Sequence, residues 1–452
     1  MTAGARHGSE KPDWTLTPRD RVHFVGIGGI GLSAIARILL QSGYSVSGSD
    51  LRLSPITREL VKLGATVYAG HAEENLGGAS LVVVSSAVPA NNPEVVEARN
   101  RHTPVLKRGQ MLAWLMRNRY SIAVAGTHGK TTTTAMIALV LENANLDPTI
   151  IVGGIVPELG TNAKAGKGQH LVLEADEYDR TFLALSPQAA VVTSIEMDHP
   201  DCFADLDDMS EAFQAFLSKL PAGGFLMANG DDPLVREVVD RLGGVKVSTY
   251  GLGYDVNWRA ADLHDNALGG YDFHVIADGE EKGPFQLSVP GVHNVSNALA
   301  AIGMADYLRV DADCTRDTLR DFQGVERRFQ IKGEVDGITV VDDYAHHPSE
   351  IKATLAGARQ RYDGRTIWVV FQPHTYSRTK TLLAEFATAF QDADGVVVTA
   401  IYAAREQNNL SIGAKDLVGM MTHPQAIHIA DLTEASAWVT TKLERGDVLI
   451  TM

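Results

Sequence analysis

Seven consecutive residues, Gly126-Thr127-His128-Gly129-Lys130-Thr131-Thr132, combine what the binding of a nucleoside polyphosphate needs. Backbone amides at a glycine turn ahead of a helix make a nest for an anion. A lysine at that point pairs with the terminal phosphates, and the hydroxyl beside it can ligate magnesium. The pattern is G-x-x-G-K-T, a shortened phosphate loop, because Val124 stands where the longer form has its first glycine. A second glycine-rich turn, Gly26-Ile27-Gly28-Gly29-Ile30-Gly31, fits G-x-G-x-x-G, and Asp50 lies about where an acidic residue meets a ribose hydroxyl. That turn suits NAD or another phosphate-bearing nucleotide, and the motif does not say which.

Charged residues follow other strand-like runs. Leu171-Val172-Leu173 leads into Glu174-Ala175-Asp176-Glu177, and Ala190–Thr193 leads into Glu196-Met197-Asp198-His199. Ligands in open parallel sheets bind at the C-terminal ends of strands. Glu174 is expected to hold magnesium, a hard cation that takes oxygen ligands, and His199 is a candidate second metal ligand. Asp342-Asp343-Tyr344-Ala345-His346-His347 occupies a similar strand end. The adjacent histidines lack the spacing of a helical zinc pair, so zinc is not expected from them.

The elements that must position these groups alternate strand and helix. The first block opens on Val22–Val25, turns at the glycines, continues through a helix around 33–40 and strands at Ser45–Ser49 and Leu81–Val84, and closes near Met116–Arg119. The second opens on Ser121–Ala125, carries a helix over 132–144, and ends with a helix over 294–308. The glycine-scattered alternation of 256–289 predicts an antiparallel excursion. The third block starts around 324–330 and has strands at Thr339–Val341, Thr366–Phe371 and Gly395–Thr399. The continuous β-branched runs suit buried parallel strands. The expected class is α/β: three consecutive Rossmann-like layers with mainly parallel sheets, the central one an ATPase of the phosphate-loop type. Expected domains are 1–119, 120–325 and 326–452, with 1–18 a disordered lead.

Composition narrows the class. The chain has 452 residues, 45% hydrophobic and 21% charged, which suits two or three domains of a globular protein. Its net charge of −15 argues against a nucleic-acid partner, which needs basic surface. No apolar run approaches the roughly 20 residues of a membrane span, and the polar start has no secretory core. Cys202 and Cys314 give neither a disulfide framework nor zinc spacing, which suits reduced thiols in the cytoplasm. There is no internal repeat.

With these residues in hand, the chain resembles the Mur ligase family from about Arg21 to Met452. The segments that carry the likeness are HFVGIGGIGLSAIA, VSGSD, VVVSSAVPANNPEV, VAGTHGKTTTT, GTNA, EADEYDRTFL, EMDHPD, VPGVHNVSNALAA, VERRFQ, DDYAHHPSEI, FQPHTYSRT and YAARE. The resemblance implies ATP-dependent amide-bond formation in peptidoglycan precursor synthesis, through an acyl phosphate, in the cytoplasm. Its implied cofactors are ATP and Mg2+, with two ions. The likeness is greatest to the branch that adds L-alanine to UDP-N-acetylmuramate.

The resemblance also assigns roles. Lys130, Glu174, His199 and Arg328 would be catalytic. Gly126 to Thr132, Asn294, Asn297, Arg328 and Asp343 would bind ATP, and Thr131, Glu174 and His199 would hold metal. The sugar nucleotide would lie on Gly26, Gly28, Gly29, Ile30, Gly31, Asp50, His71, Ser85, Ser86, Thr161 and Asn162. His347, His374, Arg378 and Arg405 are further substrate candidates. Three departures stand out. No lysine lies between His199 and Lys219, where other branches carry a carbamylated one, which fits the alanine-adding branch. Ala400 replaces an aspartate common before I-Y-A-A. The third domain is expected to be truncated, since the sequence stops within the strand-like Val448–Met452. A nicotinamide-dependent dehydrogenase would leave the Gly126–Thr132 loop unexplained, and a non-catalytic nucleotide-binding regulator would leave Glu174 and His199 unexplained. A tripeptide-recycling or glutamate-adding ligase is the alternative within the family. Oligomeric state is open.

Overall fold

A computed structural model describes residues 16–404 and 406–452. The expected lead over 1–18 therefore falls almost wholly outside the described residues, and Arg405 does too. Backbone contacts divide the chain into two compact units, one up to Lys107 and one from Arg108 onward.

The first unit is a five-stranded parallel sheet ordered β3-β2-β1-β4-β5, with β1 at Arg21–Val25, β2 at Ser45–Asp50, β3 at Thr66–Ala69, β4 at Leu81–Val84 and β5 at Val105–Lys107. The Val-rich β1 and β4 lie side by side in its middle, as parallel strands covered on both faces require.

The second unit carries two sheets. Its larger sheet has ten strands ordered β15-β14-β13-β12-β11-β10-β6-β9-β7-β8. They are β6 (Tyr120–Ala125), β7 (Thr149–Val156), β8 (Thr161–Lys164), β9 (His170–Glu174), β10 (Ala189–Val192), β11 (Phe225–Asn229), β12 (Lys246–Gly251), β13 (Trp258–Asp265), β14 (Tyr271–Ala277) and β15 (Glu280–Gln286). The expected antiparallel excursion is β13 to β15. A second antiparallel pair, β7 with β8, had no alternation in the sequence to announce it. The helices Lys130–Asn143 and Val292–Tyr307 pack on each other over this sheet. The helix Arg108–Leu115, at the end of the first block by sequence, packs in this unit against Tyr178–Ala184.

The third sheet is ordered β16-β17-β21-β18-β19-β20. Its strands are β16 (Gln330–Val335), β17 (Ile338–Asp342), β18 (Ile367–Phe371), β19 (Gly395–Val398), β20 (Ala426–His428) and β21 (Val448–Thr451). The final strand is interior: β21 pairs in parallel with β17 on one side and β18 on the other, and Val448 and Ile450 are wholly buried. Among the described residues, no helix is long and apolar enough to cross a membrane.

Candidate active site

β6 runs between β10 and β9, and all three are parallel. Their C-terminal ends therefore deliver the Gly126–Thr132 loop, the Glu174–Glu177 segment and the Thr193–His199 segment to one edge of the sheet. Gly126 (φ +137°) is forced by crowding, since a Cβ there would strike the Thr193 hydroxyl and the Ser194 amide. Gly129 takes a left-handed φ of +78°, and a Cβ would come within 2.5 Å of the Asn297 amide oxygen. Thr127 fastens the loop to the next segment, its hydroxyl donating to the Glu196 carbonyl (3.1 Å) and accepting from the Glu196 amide (2.9 Å). No side chain caps the helix 130–143, so its first-turn amides are left for an anion.

Lys130 opens that helix, and its ammonium is folded back. Nζ donates to the carbonyls of Gly126 (2.6 Å) and Thr127 (3.0 Å) and to Glu177 Oε1 (2.9 Å). Glu177 is buried; burial pushes its carboxyl up, to about 7, with Asp176 adding to the rise and Lys130 opposing it. Glu174, at the end of β9, accepts from the Gly153 amide through Oε2 (2.8 Å). His199 sits at φ +53° with Nε2 3.7 Å from Glu177 Oε1, and burial lowers its pKa. Beside it, Asp198 is held well below the usual carboxylate range despite burial by the Arg378 guanidinium, whose Nε donates to Asp198 Oδ1 at 2.8 Å. Arg378 also faces His374 Nδ1 (3.0 Å) and His199 Nδ1 (3.5 Å). Arg378, backed by His374, thus reaches the metal candidate His199 and joins the third sheet's domain to the second's.

A cavity of about 240 Å³ lies alongside. Its walls include His128, Gly129, Thr131 and Thr132 from the loop, Asn294 and Asn297 from the helix 292–307, and Arg328, Asp343 and Glu350 from the third domain. The two asparagines are fixed in a chain: Thr133 Oγ1 donates to Asn297 Oδ1 (3.1 Å), Asn297 Nδ2 to Asn294 Oδ1 (3.1 Å), and Asn294 Nδ2 to the Pro290 carbonyl (2.7 Å). Asp343 accepts from the amides of Phe329 (2.7 Å) and Ala345 (2.6 Å), which fixes its carboxylate after β17. The Arg328 guanidinium lies 3.5 Å from Glu350. Most of the expected ATP residues therefore border one space, and Lys130 lies beside it on the same loop.

The His128 and His347 rings lie with centroids 4.6 Å apart and planes tilted by 45°, so His347 is a buried contact between two domains. Thr161 and Asn162 lie on β8 in this second unit, where the Thr161 hydroxyl turns onto the Ala163 carbonyl (3.2 Å).

In the first unit, the glycine turn joins β1 to the helix Ile30–Gln41, whose Gly29 cap offers no side chain. The Gly28 amide donates to Asp50 Oδ2 at 2.8 Å. His71 Nδ1 is 2.9 Å from the Ser49 hydroxyl, and the Ser85 hydroxyl accepts from the Ala87 amide (3.3 Å). Ser86 and Ile30 are exposed. Beneath them lies a wholly buried Glu94, bound by the Ser49 hydroxyl and Asn75 Nδ2 (2.6 Å), with His71 Nδ1 at 3.4 Å and His23 Nε2 at 3.6 Å. The nearby His23 ring and hydrogen bonds from Ser49 and Asn75 outweigh burial and hold its carboxyl down at about 2.

Sequence reasoning passed over Glu177, Glu196, Asp198, Glu350 and Glu94. The signal was present: each stands inside a run that carried the family likeness.

Comparison with known proteins places this geometry. Residues 21–120, 124–305 and 327–452 match the Mur ligase family's catalytic domain, its middle domain and its glutamate ligase domain in turn. A UDP-N-acetylmuramate–L-alanine ligase of Geobacter sp. (strain M21) is 47% identical over 438 residues, covering 96% of this chain and 94% of the relative. One from Myxococcus xanthus (strain DK1622) is 46% identical, covering 96% and 92%. Among solved structures, the UDP-N-acetylmuramate–alanine ligase of Thermotoga maritima superposes with a TM-score of 0.81 at 31% identity, covering 95% of each chain. The chain belongs to the Mur ligase family.

Proposed function

We propose that the protein joins L-alanine to the lactyl carboxylate of UDP-N-acetylmuramate, driven by ATP through an acyl phosphate, in peptidoglycan precursor synthesis. One observation carries the chemical part. Lys130 is stored against Glu177 and two loop carbonyls, beside a cavity bordered by Asn294, Asn297, Arg328 and Asp343. The acceptor and donor come from the relatives, which bear this activity by name over nearly their whole length. The dehydrogenase reading of the first turn falls with family membership.

A carboxylate is a poor acyl donor. Its oxygen attacks the γ-phosphorus of ATP, ADP leaves, and the neutral amine of alanine then attacks the acyl carbon and expels phosphate. Phosphoryl transfer needs positioning and charge neutralisation more than covalent help. Lys130 exchanges its loop carbonyls for phosphate oxygens, and Arg328 supplies a second cation from the third domain. With that domain over the cavity, water is kept from the acyl phosphate. Glu174 has one oxygen on the Gly153 amide and the other to give, and Thr131 borders the cavity, so this pair fits a hard cation. His199 would complete the set with a ring nitrogen. Magnesium, when bound there, neutralises phosphate charge. The sugar nucleotide is assigned to the first glycine turn.

Phosphate release from ATP, measured with UDP-N-acetylmuramate and single amino acids or L-alanine-containing peptides, tests this. L-Alanine should support the fastest release. Glycine should be about 1–3 kcal/mol worse in transition-state binding, the worth of one methyl in a small apolar pocket. Far higher turnover with D-glutamate or a tripeptide would reassign the branch.

A further inference from the structure

The expected magnesium residues are not the only convergence of donors in the second unit. Three others meet where the phosphate loop touches the third domain: His128 from the loop, Glu196 from the segment after β10, and His347 from the segment after β17. His128 Nε2 lies 3.1 Å from Glu196 Oε2, His347 Nδ1 lies 4.0 Å from the same oxygen, and all three donor atoms fall within 4.8 Å of one another. A tetrahedral ion with bonds of about 2.0–2.1 Å holds its ligand atoms roughly 3.3 Å apart, so small side-chain rotations close this triangle.

We infer that His128, Glu196 and His347 form a binding site for a borderline divalent ion, such as Zn2+ or Co2+, distinct from the magnesium site. Proximity alone is weak evidence; the far side of each ligand is what argues for the site. A metal-binding histidine has its other ring nitrogen on a carboxylate or carbonyl, which fixes the tautomer and turns the lone pair toward the ion. His128 Nδ1 lies 3.3 Å from Glu350 Oε1. His347 Nε2 lies 3.2 Å from the Met197 carbonyl, so it carries the proton, and the Nδ1 lone pair accepts from the Ser349 amide (3.3 Å), a bond that an ion would displace. Glu196 Oε1 accepts from the Ser349 hydroxyl at 2.6 Å, leaving Oε2 toward the triangle. His128 and Glu196 are thus anchored through the atom that would not bind metal, and His347 is held through both ring nitrogens, Nδ1 by the single amide of Ser349. Two imidazoles and one carboxylate are the donor set of open zinc sites, whereas magnesium takes oxygen.

Charge agrees. Glu196 and Glu350 bring two carboxylates, and Arg328, 3.5 Å from Glu350, balances one. A cation is needed for the other. A divalent ion among the three donors supplies it. Because His128 and Glu350 border the cavity and His347 belongs to the third domain, a bound ion ties that domain to the loop beside the cavity.

Co2+ titration of the full chain without nucleotide, followed by visible absorption, tests the site. Beyond any ion taken by the set that includes His199, one nitrogen-ligated Co2+ per chain is expected, retained in His199→Ala, displaced by Zn2+ and not by excess Mg2+. His347→Asn and Glu196→Gln should each weaken binding roughly tenfold or more, whereas Glu174→Gln, at the magnesium site, should leave it unchanged. Absence of a stoichiometric band, a band unmoved by Glu196→Gln, or a band lost with Glu174→Gln would overturn the inference. Glu196 is half exposed, so its variant folds and decides the matter even where the buried His347→Asn does not.

Discussion

Two glutamates, each buried beside a glycine turn, have opposite fates. Glu94 in the first unit is surrounded by neutral or adaptable donors, namely Ser49, Asn75 and the two histidines, and its carboxyl is held down at about 2. Glu177 in the second unit has one strong partner, Lys130, which also serves two loop carbonyls, and its carboxyl is pushed up to about 7. A carboxylate fully provided for is architecture: it ties the end of β2 to the His71–Asn75 loop. A carboxylate whose one cation is shared marks where an incoming ligand can take that cation away. The turns differ the same way. The first presents an amide already occupied by an internal anion, Asp50, and the second stores an internal cation.

The largest effect expected from this contrast is at Lys130. Lys130→Ala should lower ATP-dependent phosphate release by a factor of roughly 10³, or about 4 kcal/mol, as when a donor aimed at developing charge is removed. It also strands Glu177 without its cation, so some stability is lost with the activity. Lys130→Ala combined with Glu177→Gln should recover thermal stability and not turnover. Recovered turnover in the double variant would show that the lysine serves only to neutralise its neighbour.

The glutamates themselves should give stability slopes of opposite sign. Glu94 has a folded pKa below its unfolded value of 4.5, so its contribution is present above pH 4.5 and is lost as pH falls toward 2. That contribution is at most about 3 kcal/mol. Glu94→Gln should flatten the acid limb of the first unit's denaturation midpoint. Glu177 has a raised folded pKa, so its burial costs stability progressively as pH rises from 4.5 through about 7. Glu177→Gln should remove that decline, by a smaller amount because Lys130 offsets part of the cost. Chemical denaturation across pH 3 to 8 measures both, and slopes of the same sign would erase the distinction.

The sequence carried the parts of this contrast that are local. Both glycine turns lie at strand-to-helix junctions, where spacing within about six residues fixes the geometry, and their strands are β-branched runs that a parallel sheet requires. The pairings that give the sites their character are not local. His128 meets Glu350 across 222 residues, and Asp198 meets Arg378 across 180. Glu94 reads as an ordinary acid in the first turn of a helix, after Pro93, and nothing in PANNPEV says that the turn faces inward. The interior position of β21 was hidden similarly, since a short apolar run does not name its neighbours.

The smallest expected effect is at Asp50, and its sign is informative. The carboxylate lies 2.8 Å from the Gly28 amide, inside the turn proposed to hold the sugar nucleotide. If a diphosphate packed directly against it, removing the charge would tighten binding, because two anions would no longer share one amide. If instead a ribose hydroxyl donates to it, with the diphosphate further along the turn, removal costs a hydrogen bond to a charged group. The second arrangement is the expected one, because an acidic residue after the second strand of such a fold meets a ribose. Asp50→Ala should therefore raise the KM for UDP-N-acetylmuramate roughly tenfold, the loss of about 1.4 kcal/mol, and leave the KM for ATP unchanged. Calorimetry on the full chain should show the same loss for the sugar nucleotide and no heat with NAD. Tighter binding by Asp50→Ala would move the diphosphate onto the Gly28 amide and make Asp50 a counterpart of Lys130: an internal charge that keeps the turn closed until its ligand arrives.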